Sequence, residues 1–414
     1  MLALDNLYNK SYVLYNSNFA AIYCPTQDGT RIYVMTNNSY QKYLSNNLQI
    51  QDLLIKNGIK QPLQKLSLSL AKKLSVDGNA GEHIDTINIE VVEGCNLHCV
   101  HCYASAEKLN GHLSVEQYTT ILNHINQPID IRLSGGEPTL NPQIVDICRK
   151  TMEIKPNTNH TLITNGTMSQ NLLLAILATG IHIQISIYAF SSETFTSFTG
   201  GNPTQYTNIF TNLTQLPVEI REKIHLIFYY SDLTANEWLL FSKWAEGNSY
   251  RCSISGINSI GRANQNKILL GLDHPSYNTF INSRLETQKM KCRICHLNRV
   301  NVLFQGDVTP CPFFRGEQDK FVLGNIYRSS LTEIQHGKPF QNFQRYTVDD
   351  VKTCGICPLR YLCSAGCCGE TYAVTGSISE KYTRCHLYEN QPLQDGFLYM
   401  VQKIKPGLFN FTKL

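Results

Sequence analysis

The chain has 414 residues and a mass of 46.9 kDa, with 42% hydrophobic and 16% charged residues, which is typical of a globular protein rather than a disordered one. The net charge is +4 and the basic residues are dispersed, whereas a nucleic-acid-binding protein usually carries a basic stripe, so we expect no nucleic-acid partner. No apolar run is long enough to span a bilayer and residues 1–6 do not resemble a signal peptide, so we expect a cytoplasmic protein without a membrane partner.

Residues 1–84 are predicted to form a small separate unit in which strands precede helices. The strand candidates are Ser11–Tyr15, Phe19–Cys24 and Arg31–Met35, which are rich in Tyr and Ile. Four leucines recur at helical spacing and predict a helix: Leu63, Leu66, Leu70 and Leu74. The composition of residues 76–81 is that of a linker.

Residues 85–290 are predicted to alternate strands with helices. The strands are Thr86–Val92, Asp130–Leu133, Thr161–Ile163, His182–Tyr188, Ile224–Tyr230 and Arg251–Ile257. The first helix opens with a capping-box pattern, Ser114 followed by Gln117. Such an order predicts an α/β fold with a parallel sheet that curls into an open, six-unit barrel. Polar, Gly-containing segments follow several strand ends, and that rim is where barrels build their sites.

Residues 291–390 are rich in cysteine and show little periodicity, and residues 391–414 form a short tail. The chain holds 15 cysteines, and in a reducing compartment so many favour metal binding over disulfides. Metal ligation would supply stability that the thin core of this region lacks.

The segment after the first barrel strand spaces its cysteines as Cys-x3-Cys-x2-Cys, at Cys95, Cys99 and Cys102. Four-iron clusters normally take four thiolates. Three would leave one iron open, and an open position distinguishes a catalytic metal site from a structural one. A zinc knuckle that used His98 or His101 as its fourth ligand is the alternative, although the spacing is unlike that of zinc pairs.

This loop, with Tyr103 after its third cysteine, resembles the signature of the radical S-adenosylmethionine superfamily. The resemblance implies a [4Fe–4S] cluster on Cys95, Cys99 and Cys102 whose open iron chelates S-adenosylmethionine. It also implies cleavage of the cosubstrate to a 5′-deoxyadenosyl radical.

Other segments match the superfamily at the expected places. Gly135, Gly136, Glu137 and Pro138 resemble its Gly-Gly-Glu-Pro motif, in which the glycines admit close backbone approach and Glu137 accepts hydrogen bonds from an ammonium group. Ser186 stands where family members contact the ribose, and Asn165 is expected to line the same cavity. Gly261-Arg262-Ala263 is similar to a common sequence after the sixth strand.

The C-terminal cysteines are similar to the SPASM extension of the superfamily, which carries two auxiliary [4Fe–4S] clusters. By the family pattern, one cluster is held by Cys292, Cys295, Cys311 and Cys367, and the other by Cys354, Cys357, Cys363 and Cys385. Because Cys292 is only three residues before Cys295, an open iron or ligation by Cys368 is the alternative. Zinc ribbons are a further alternative, since the Cys-x2-Cys pairs suit zinc.

The remaining cysteines are expected to be small buried hydrophobes. Cys252 shares a strand face with Ile254, and Cys148 shares a helix side with Ile144. A role for either thiol as a hydrogen-atom donor is the alternative.

The family resemblance implies hydrogen-atom abstraction from a peptide or small protein, with an electron donor such as flavodoxin or ferredoxin as a second partner. The N-terminal unit resembles, in topology, the winged-helix element with which peptide maturases take a leader peptide as an added strand; a structural cap is the alternative. We therefore expect a maturase that forms a thioether or carbon–carbon crosslink. A sulfatase-type protein oxidase, a peptide epimerase and a non-catalytic iron–sulfur electron carrier are the competing hypotheses.

Overall fold

The computed structural model describes residues 9–17, 19–26, 29–75, 83–107, 111–267, 292–295, 297–315 and 318–382, together with short strands between residues 398 and 413. The chain divides into two compact units. The first comprises residues 1–80, 284–296 and 345–414, and the second comprises residues 81–283 and 297–344. No helix in the described part of the chain is both long and apolar enough to cross a membrane.

The first unit begins with a mostly antiparallel sheet and three short helices. Its elements are β1 (Tyr12–Tyr15), β2 (Phe19–Thr26), β3 (Gly29–Thr36), α1 (Asn37–Leu44), α2 (Leu48–Lys56), β4 (Gln64–Lys65) and α3 (Leu68–Leu74). The buried core lies between the sheet and the helices and includes Ile22, Tyr33, Ile50 and Leu54. The three predicted strands are therefore present, and each begins and ends within two residues of its predicted bounds.

The predicted helix across Leu63–Leu74 is shorter than its leucine spacing indicated. Ser67 accepts a hydrogen bond from the backbone of Leu70 and thereby caps α3, so the helix starts at Leu68. Residues 64–65 instead pair in parallel with β1. Leu63 and Leu66 consequently precede the helix, because strand pairing and a serine cap outweigh the periodicity.

The second unit contains a nine-stranded sheet with a parallel centre. Its strands are β5 (Thr86–Val92), β6 (Asp130–Gly135), β7 (His160–Thr164), β8 (His182–Ile187), β9 (Ile224–Tyr230), β10 (Arg251–Gly256), β11 (Arg299–Val302), β12 (Asp307–Thr309) and β13 (Gly324–Asn325). The order is β10-β9-β8-β7-β6-β5-β11-β12-β13. Neighbours from β5 to β10 pair in parallel, as does β11 with β5. The predicted α/β class with six successive parallel strands is confirmed.

Helices follow the strands along the chain. They are α4 (Val115–Asn123), α5 (Ile144–Ile154), α6 (Gln170–Ala178), α7 (Ser192–Thr199), α8 (Pro203–Gln215), α9 (Val218–Arg221), α10 (Trp238–Gly247), α11 (Arg262–Gln265), α12 (Gln318–Phe321), α13 (Leu331–His336) and α14 (Lys338–Gln344). The capping box at Ser114 and Gln117 is present at the start of α4. Along β5, Ile87, Ile89 and Val91 are fully buried on one face, while Asn88 and Glu90 point to the other.

The first unit resumes at residue 345 with α15 (Arg360–Cys363) and α16 (Cys368–Thr375). Part of the region predicted to be a C-terminal tail is a strand: Leu398–Val401 pairs antiparallel with β3. Thr412–Lys413 adds to that strand on its other side, so the sheet of the first unit has six strands. The edge of β3 is therefore covered by the chain's own C-terminal segment.

Candidate functional site

The three-cysteine loop leaves β5 and is held by backbone hydrogen bonds along its length. Cys95 N donates to Glu107 O over 3.0 Å, and His98 N donates to Thr199 O over 2.8 Å. Burial raises the pKa of Cys95 to about 11 and raises that of Cys99 well above its usual value. The proximity of Cys102 and Cys95 raises the pKa of Cys99 further.

Gly135 and Gly136 lie against the backbone that leads into this loop. A Cβ at Gly136 would stand 2.1 Å from the carbonyl oxygen of Gly94, and one at Gly135 would stand 2.1 Å from that of Val92. Gly135 also has a φ of +138°, which side chains rarely adopt. Glycine is required at both positions so that the end of β6 can touch the base of the cysteine loop.

Glu137 is buried at 1% exposure and joins the second and third strand ends. Its Oε1 accepts from Thr164 Oγ1 at 2.6 Å and from the backbone and hydroxyl of Thr139. Its Oε2 accepts from Asn165 N at 2.7 Å. Burial raises the pKa of this carboxyl while these donors oppose the rise. A carboxylate oxygen has two lone pairs, so Oε2 retains acceptor capacity for a ligand ammonium.

Asn165 and Ser186 lie at neighbouring strand ends with their side chains engaged. Asn165 Nδ2 donates to Asn96 Oδ1 over 2.9 Å and lies 4.0 Å from Cys95 Sγ. Ser186 is buried and hydrogen-bonds to the side chain of Tyr188, whose pKa is raised by burial and by nearby Cys99. The structure thus brings Asn165 and the neighbourhood of Ser186 to the cysteine loop.

Pro138 and Tyr103 complete the set of residues expected to bind the cosubstrate. Pro138 is buried at the start of a short 3₁₀ turn that Glu137 caps. The ring of Tyr103 packs edge-on against Phe313, with centroids 5.7 Å apart. Burial raises the pKa of Tyr103, and Glu90 and Arg315 are the next charges that act on it.

Arg262, which follows β10, holds the cysteine loop in place through several hydrogen bonds. Its Nε donates to Cys99 O over 2.9 Å, its Nη2 donates to Ala106 O and its Nη1 pairs with Glu107. The backbone N of Arg262 also donates to Cys102 O over 3.0 Å. The Gly-Arg-Ala segment resembles a common sequence of the superfamily, but the local sequence does not reveal that the guanidinium of Arg262 reaches residues 99–107.

His101 is buried among aromatic rings. Its ring stacks on Phe198 with centroids 4.4 Å apart and lies 4.8 Å from that of Tyr188. Burial lowers its pKa to about 3, with Arg262 as a further cause. Its Nδ1 has no hydrogen-bond partner among the described residues. His98 is exposed and faces Glu107 at 3.7 Å.

Several of the C-terminal cysteines belong to the first unit. Burial raises the pKa of Cys367 to about 11, and nearby Cys295 contributes to the rise. Cys354 and Cys357 lie at a short 3₁₀ turn. Arg360 fixes this turn, since it donates to Cys357 O over 3.0 Å and to Asp349 over 2.7 Å.

The remaining expected ligands are described to different extents. Cys292 is buried, with its Sγ 3.2 Å from Ser75 Oγ. Cys311 belongs to the second unit. The side chain of Cys363 and the whole of Cys385 lie outside the described residues.

The chemistry of the three-cysteine loop fits a cluster bound by thiolates. In the part of the chain that the structure describes, no group of three or more His, Cys, Asp or Glu side chains converges as the ligands of a single ion would. A [4Fe–4S] cluster instead takes one ligand on each iron. Cys95, Cys99 and Cys102 would each bind one iron of such a cluster.

Comparison with protein families agrees with this chemistry. The family model described as the Radical SAM superfamily matches residues 89–216, which contain the cysteine loop, the Gly-Gly-Glu-Pro segment and Ser186. The SPASM model, described as an iron–sulfur cluster-binding domain, matches residues 292–358. The chain therefore contains a radical S-adenosylmethionine domain, which is followed along the chain by a SPASM domain.

Known proteins resemble the chain at low identity. The GTP 3′,8-cyclase of Microcystis aeruginosa is 29% identical over 126 residues, which cover 28% of this chain and 38% of that enzyme. The GTP 3′,8-cyclase of Clostridium acetobutylicum is 25% identical over 299 residues, or 63% of this chain and 92% of that enzyme. The chain therefore matches well under half of the first of these relatives.

Solved structures share the fold over more of the chain. Streptococcus suis SuiB bound to precursor peptide SuiA has a TM-score of 0.58 at 13% identity and covers 90% of this chain and 99% of that one. His-tagged anSMEcpe with bound AdoMet has a TM-score of 0.52 at 16% identity and covers 75% of this chain and 89% of that one. At these identities the likeness concerns the fold.

Proposed function

We propose that the chain modifies a ribosomally made peptide by hydrogen-atom abstraction and forms a thioether or carbon–carbon crosslink in it. The observation that carries the proposal is the fold shared with SuiB, a protein solved with its precursor peptide, over 90% of this chain. The match includes more than the radical S-adenosylmethionine and SPASM regions alone.

In this proposal Cys95, Cys99 and Cys102 bind the catalytic cluster, and the cluster with S-adenosylmethionine supplies the 5′-deoxyadenosyl radical. Gly135, Gly136, Glu137 and Pro138 line the cosubstrate site together with Tyr103, Asn165 and Ser186. Glu137 is placed by four hydrogen bonds from the protein. Arg262 holds the loop in shape through the carbonyl oxygens of Cys99 and Ala106.

The C-terminal cysteines are proposed to bind two auxiliary clusters, which makes three clusters per chain. The first set is Cys292, Cys295, Cys311 and Cys367, and the second is Cys354, Cys357, Cys363 and Cys385. The electrostatic coupling of Cys367 with Cys295 supports the first set. Ser364, Ala365 and Gly366 all have left-handed φ values, so the chain turns sharply between Cys363 and Cys367. Such a turn supports the assignment of these two thiols to different clusters.

The fourth ligand of the first set is either Cys292 or Cys368, or that iron is open. The thiol of Cys292 contacts Ser75, a neutral hydroxyl, which can donate a hydrogen bond to a thiolate. We assign Cys292 to the first set, with Cys368 as its substitute or an open iron as the alternative.

The proposed function assigns a role to each domain. Residues 1–84 bind the leader peptide, residues 85–290 form the partial barrel with the radical site, residues 291–390 bind the auxiliary clusters, and residues 391–414 are a C-terminal tail. A leader strand that added to β3 would have to displace Leu398–Val401, which pairs there. Deletion of residues 1–84 would not measure leader binding alone, because it would also remove Tyr23, which hydrogen-bonds to Pro358 within the same unit and whose ring lies 6.4 Å from that of Tyr361.

A crosslink is favoured over epimerisation by the position of Cys252. An epimerase needs a hydrogen-atom donor that faces the substrate. Cys252 is the second residue of β10, so it lies near the start of the strand and away from the carboxyl-end rim at which the cysteine loop begins. A crosslink instead releases one hydrogen atom to the 5′-deoxyadenosyl radical and one proton and one electron, and an auxiliary cluster can accept that electron. An external donor such as flavodoxin or ferredoxin supplies the electron that starts each cycle.

The experiment is incubation of anaerobically reconstituted protein with S-adenosylmethionine, a reductant and synthetic copies of short peptides encoded beside its gene. Tandem mass spectrometry should show a peptide that has lost two hydrogens and resists fragmentation between the joined residues. A new carbonyl without a ring would identify an oxidase. An unchanged mass with deuterium gained from heavy water would identify an epimerase.

A nucleotide substrate is the second candidate, favoured by the 25% identity to the Clostridium acetobutylicum GTP 3′,8-cyclase over 299 residues. The same reactions with GTP in place of peptide decide between the two. Consumption of GTP coupled to 5′-deoxyadenosine would replace the peptide proposal.

A further inference from the structure

Two buried asparagines stand side by side on adjacent strands of the second unit. Asn88 of β5 and Asn301 of β11 are register partners in the parallel ladder. They are 6% and 0% exposed. In each, the Oδ1 atom is buried and has no hydrogen-bond partner among the described residues. Most buried polar side-chain atoms are satisfied, so two adjacent exceptions need an explanation.

The orientation of Asn301 is set by its neighbours. Its Nδ2 donates to Glu90 Oε1 over 3.3 Å, and Glu90 Oε2 pairs with Arg315 Nε over 3.2 Å. Rotating the amide by half a turn would place its oxygen against the Glu90 carboxylate. The unpartnered atom of Asn301 is therefore an acceptor, and it needs a donor from outside this network.

Leaving a buried acceptor unpaired destabilises the folded protein. An apolar residue of similar size at position 88 would avoid that cost, and the other face of β5 shows that the strand accommodates Ile and Val. We propose that Asn88 and Asn301 form a substrate subsite whose two carbonyl oxygens accept hydrogen bonds from N–H groups of the substrate. The subsite rests on the proposed function, because it recognises part of that substrate.

The charges around the pair select the kind of donor. Arg132 is the register partner of Asn88 on β6, and Arg299 precedes Asn301 by two residues on the same strand face. Burial lowers the pKa of Arg132, and the proximity of Arg299 lowers it further. Glu90 is the acid beside the asparagines, and it is already paired with Arg315. A cationic substrate group would meet repulsion here, while a carboxylate would offer no donor to the asparagines. The fitting group is a neutral amide, either a peptide bond or an Asn or Gln side chain.

The subsite lies below the rim at which the cysteine loop begins. Asn88 precedes Val92, the last residue of β5, by four residues, which corresponds to about 13 Å along a strand. The amide that is recognised therefore belongs to a part of the substrate that inserts past the reacting carbon. Asn88 and Asn301 are positioning and specificity residues rather than catalytic ones.

The test compares Asn88→Leu with Asn212→Leu. Asn212 is also buried, but its Nδ2 is paired with Met168 O over 2.9 Å. If the Asn88 acceptor is unpaired in the free protein, Asn88→Leu should unfold at the same or a higher temperature than the wild type, whereas Asn212→Leu should unfold at a lower one. A fall for Asn88→Leu as large as that for Asn212→Leu would show a satisfied asparagine and overturn the proposal.

Binding is measured by calorimetry with three probes of similar length: butyramide, butylammonium and butyrate. The wild type should bind butyramide about tenfold more tightly than either charged probe, Asn88→Leu should lose that preference, and Asn212→Leu should keep it. Equal binding of the three probes, no binding of butyramide, or an unchanged preference in Asn88→Leu would contradict the subsite. Formation of 5′-deoxyadenosine without any probe is assayed in the same samples. If the wild type forms no 5′-deoxyadenosine, the proposed function is contradicted, whatever the result for the subsite.

Discussion

The guanidinium of Arg262 donates a hydrogen bond from Nε to the carbonyl oxygen of Cys99 over 2.9 Å, although 163 residues separate them in the chain. The same side chain reaches Ala106 O and Glu107 Oε1. Arg262 is 7% exposed, so these contacts are made with little competition from water. A side chain that follows β10 thus holds the shape of the loop that follows β5.

Arg262→Lys should reduce the iron held by the cysteine loop and slow 5′-deoxyadenosine formation. Lysine keeps the charge but loses the planar fork that serves several acceptors at once, and each lost bond from a charged donor is worth about 1.5–3 kcal/mol. The control is Arg221→Lys, which removes a similarly buried fork bonded to Leu216 O and Asn248 O, away from the loop. Equal iron loss in both variants would show general destabilisation instead.

Gly136→Ala should abolish S-adenosylmethionine cleavage in a protein that still folds. The added Cβ would lie 2.1 Å from Gly94 O and 2.8 Å from Glu93 O, both backbone atoms, so the base of the cysteine loop must move. Gly247→Ala is the control, since a Cβ there meets nothing within 4 Å. It ends helix α10, and alanine should stabilise it by up to about 1 kcal/mol. Wild-type cleavage in Gly136→Ala would contradict the close-packing argument.

Thr164→Val should weaken S-adenosylmethionine binding without changing the charge of the site. The substitution removes the 2.6 Å hydrogen bond from Thr164 Oγ1 to Glu137 Oε1 and preserves the side-chain shape. The carboxylate would then lose one of the contacts that aim it, at a cost of about 1.5–3 kcal/mol for a bond to a charged group. Equilibrium binding of S-adenosylmethionine measures the effect, and Thr214→Val, on the surface of α8, is the control. Unchanged affinity of Thr164→Val for S-adenosylmethionine would show that Glu137 does not contribute to the cosubstrate site.

Cys295→Ala and Cys367→Ala should each remove the same cluster, about four irons, and the double variant should remove no more. Cys354→Ala combined with Cys367→Ala should instead remove about eight irons. The reason is that Cys295 and Cys367 are electrostatic neighbours while Cys354 lies at a separate turn. Additive losses for Cys295 and Cys367, measured as iron per reconstituted chain, would refute the interleaved ligand sets.

Much of the fold could be predicted because local patterns and tertiary structure agree in the parallel sheet. Strand β9 has the predicted bounds Ile224–Tyr230, and β5 has the predicted bounds Thr86–Val92. The pairing of Leu398–Val401 with β3 was not predicted, since strand partners far apart in the chain leave no local signal. The leucine spacing predicted a helix that begins too early, because it carries no sign that β4 pairs with β1.

The cluster ligands of the candidate site could be predicted because the spacing of cysteines along the chain indicates metal binding. Cys95, Cys99 and Cys102 lie close together in the sequence, and in the structure Cys95 and Cys102 are near enough to raise the pKa of Cys99. The burial of His101 against Phe198 depends on a helix end almost a hundred residues away and could not be predicted from its neighbours. The same holds for Arg262, whose partners lie in another part of the chain.

The most direct test of the central claim is formation of 5′-deoxyadenosine by anaerobically reconstituted protein with S-adenosylmethionine and dithionite. The wild type should produce it and hold about 12 irons per chain, and the joint replacement of Cys95, Cys99 and Cys102 by alanine should remove about four irons and all 5′-deoxyadenosine. Joint replacement of Cys354, Cys357 and Cys363 should also remove a cluster but leave cleavage of S-adenosylmethionine in place. Continued 5′-deoxyadenosine formation without the three loop cysteines would contradict the account.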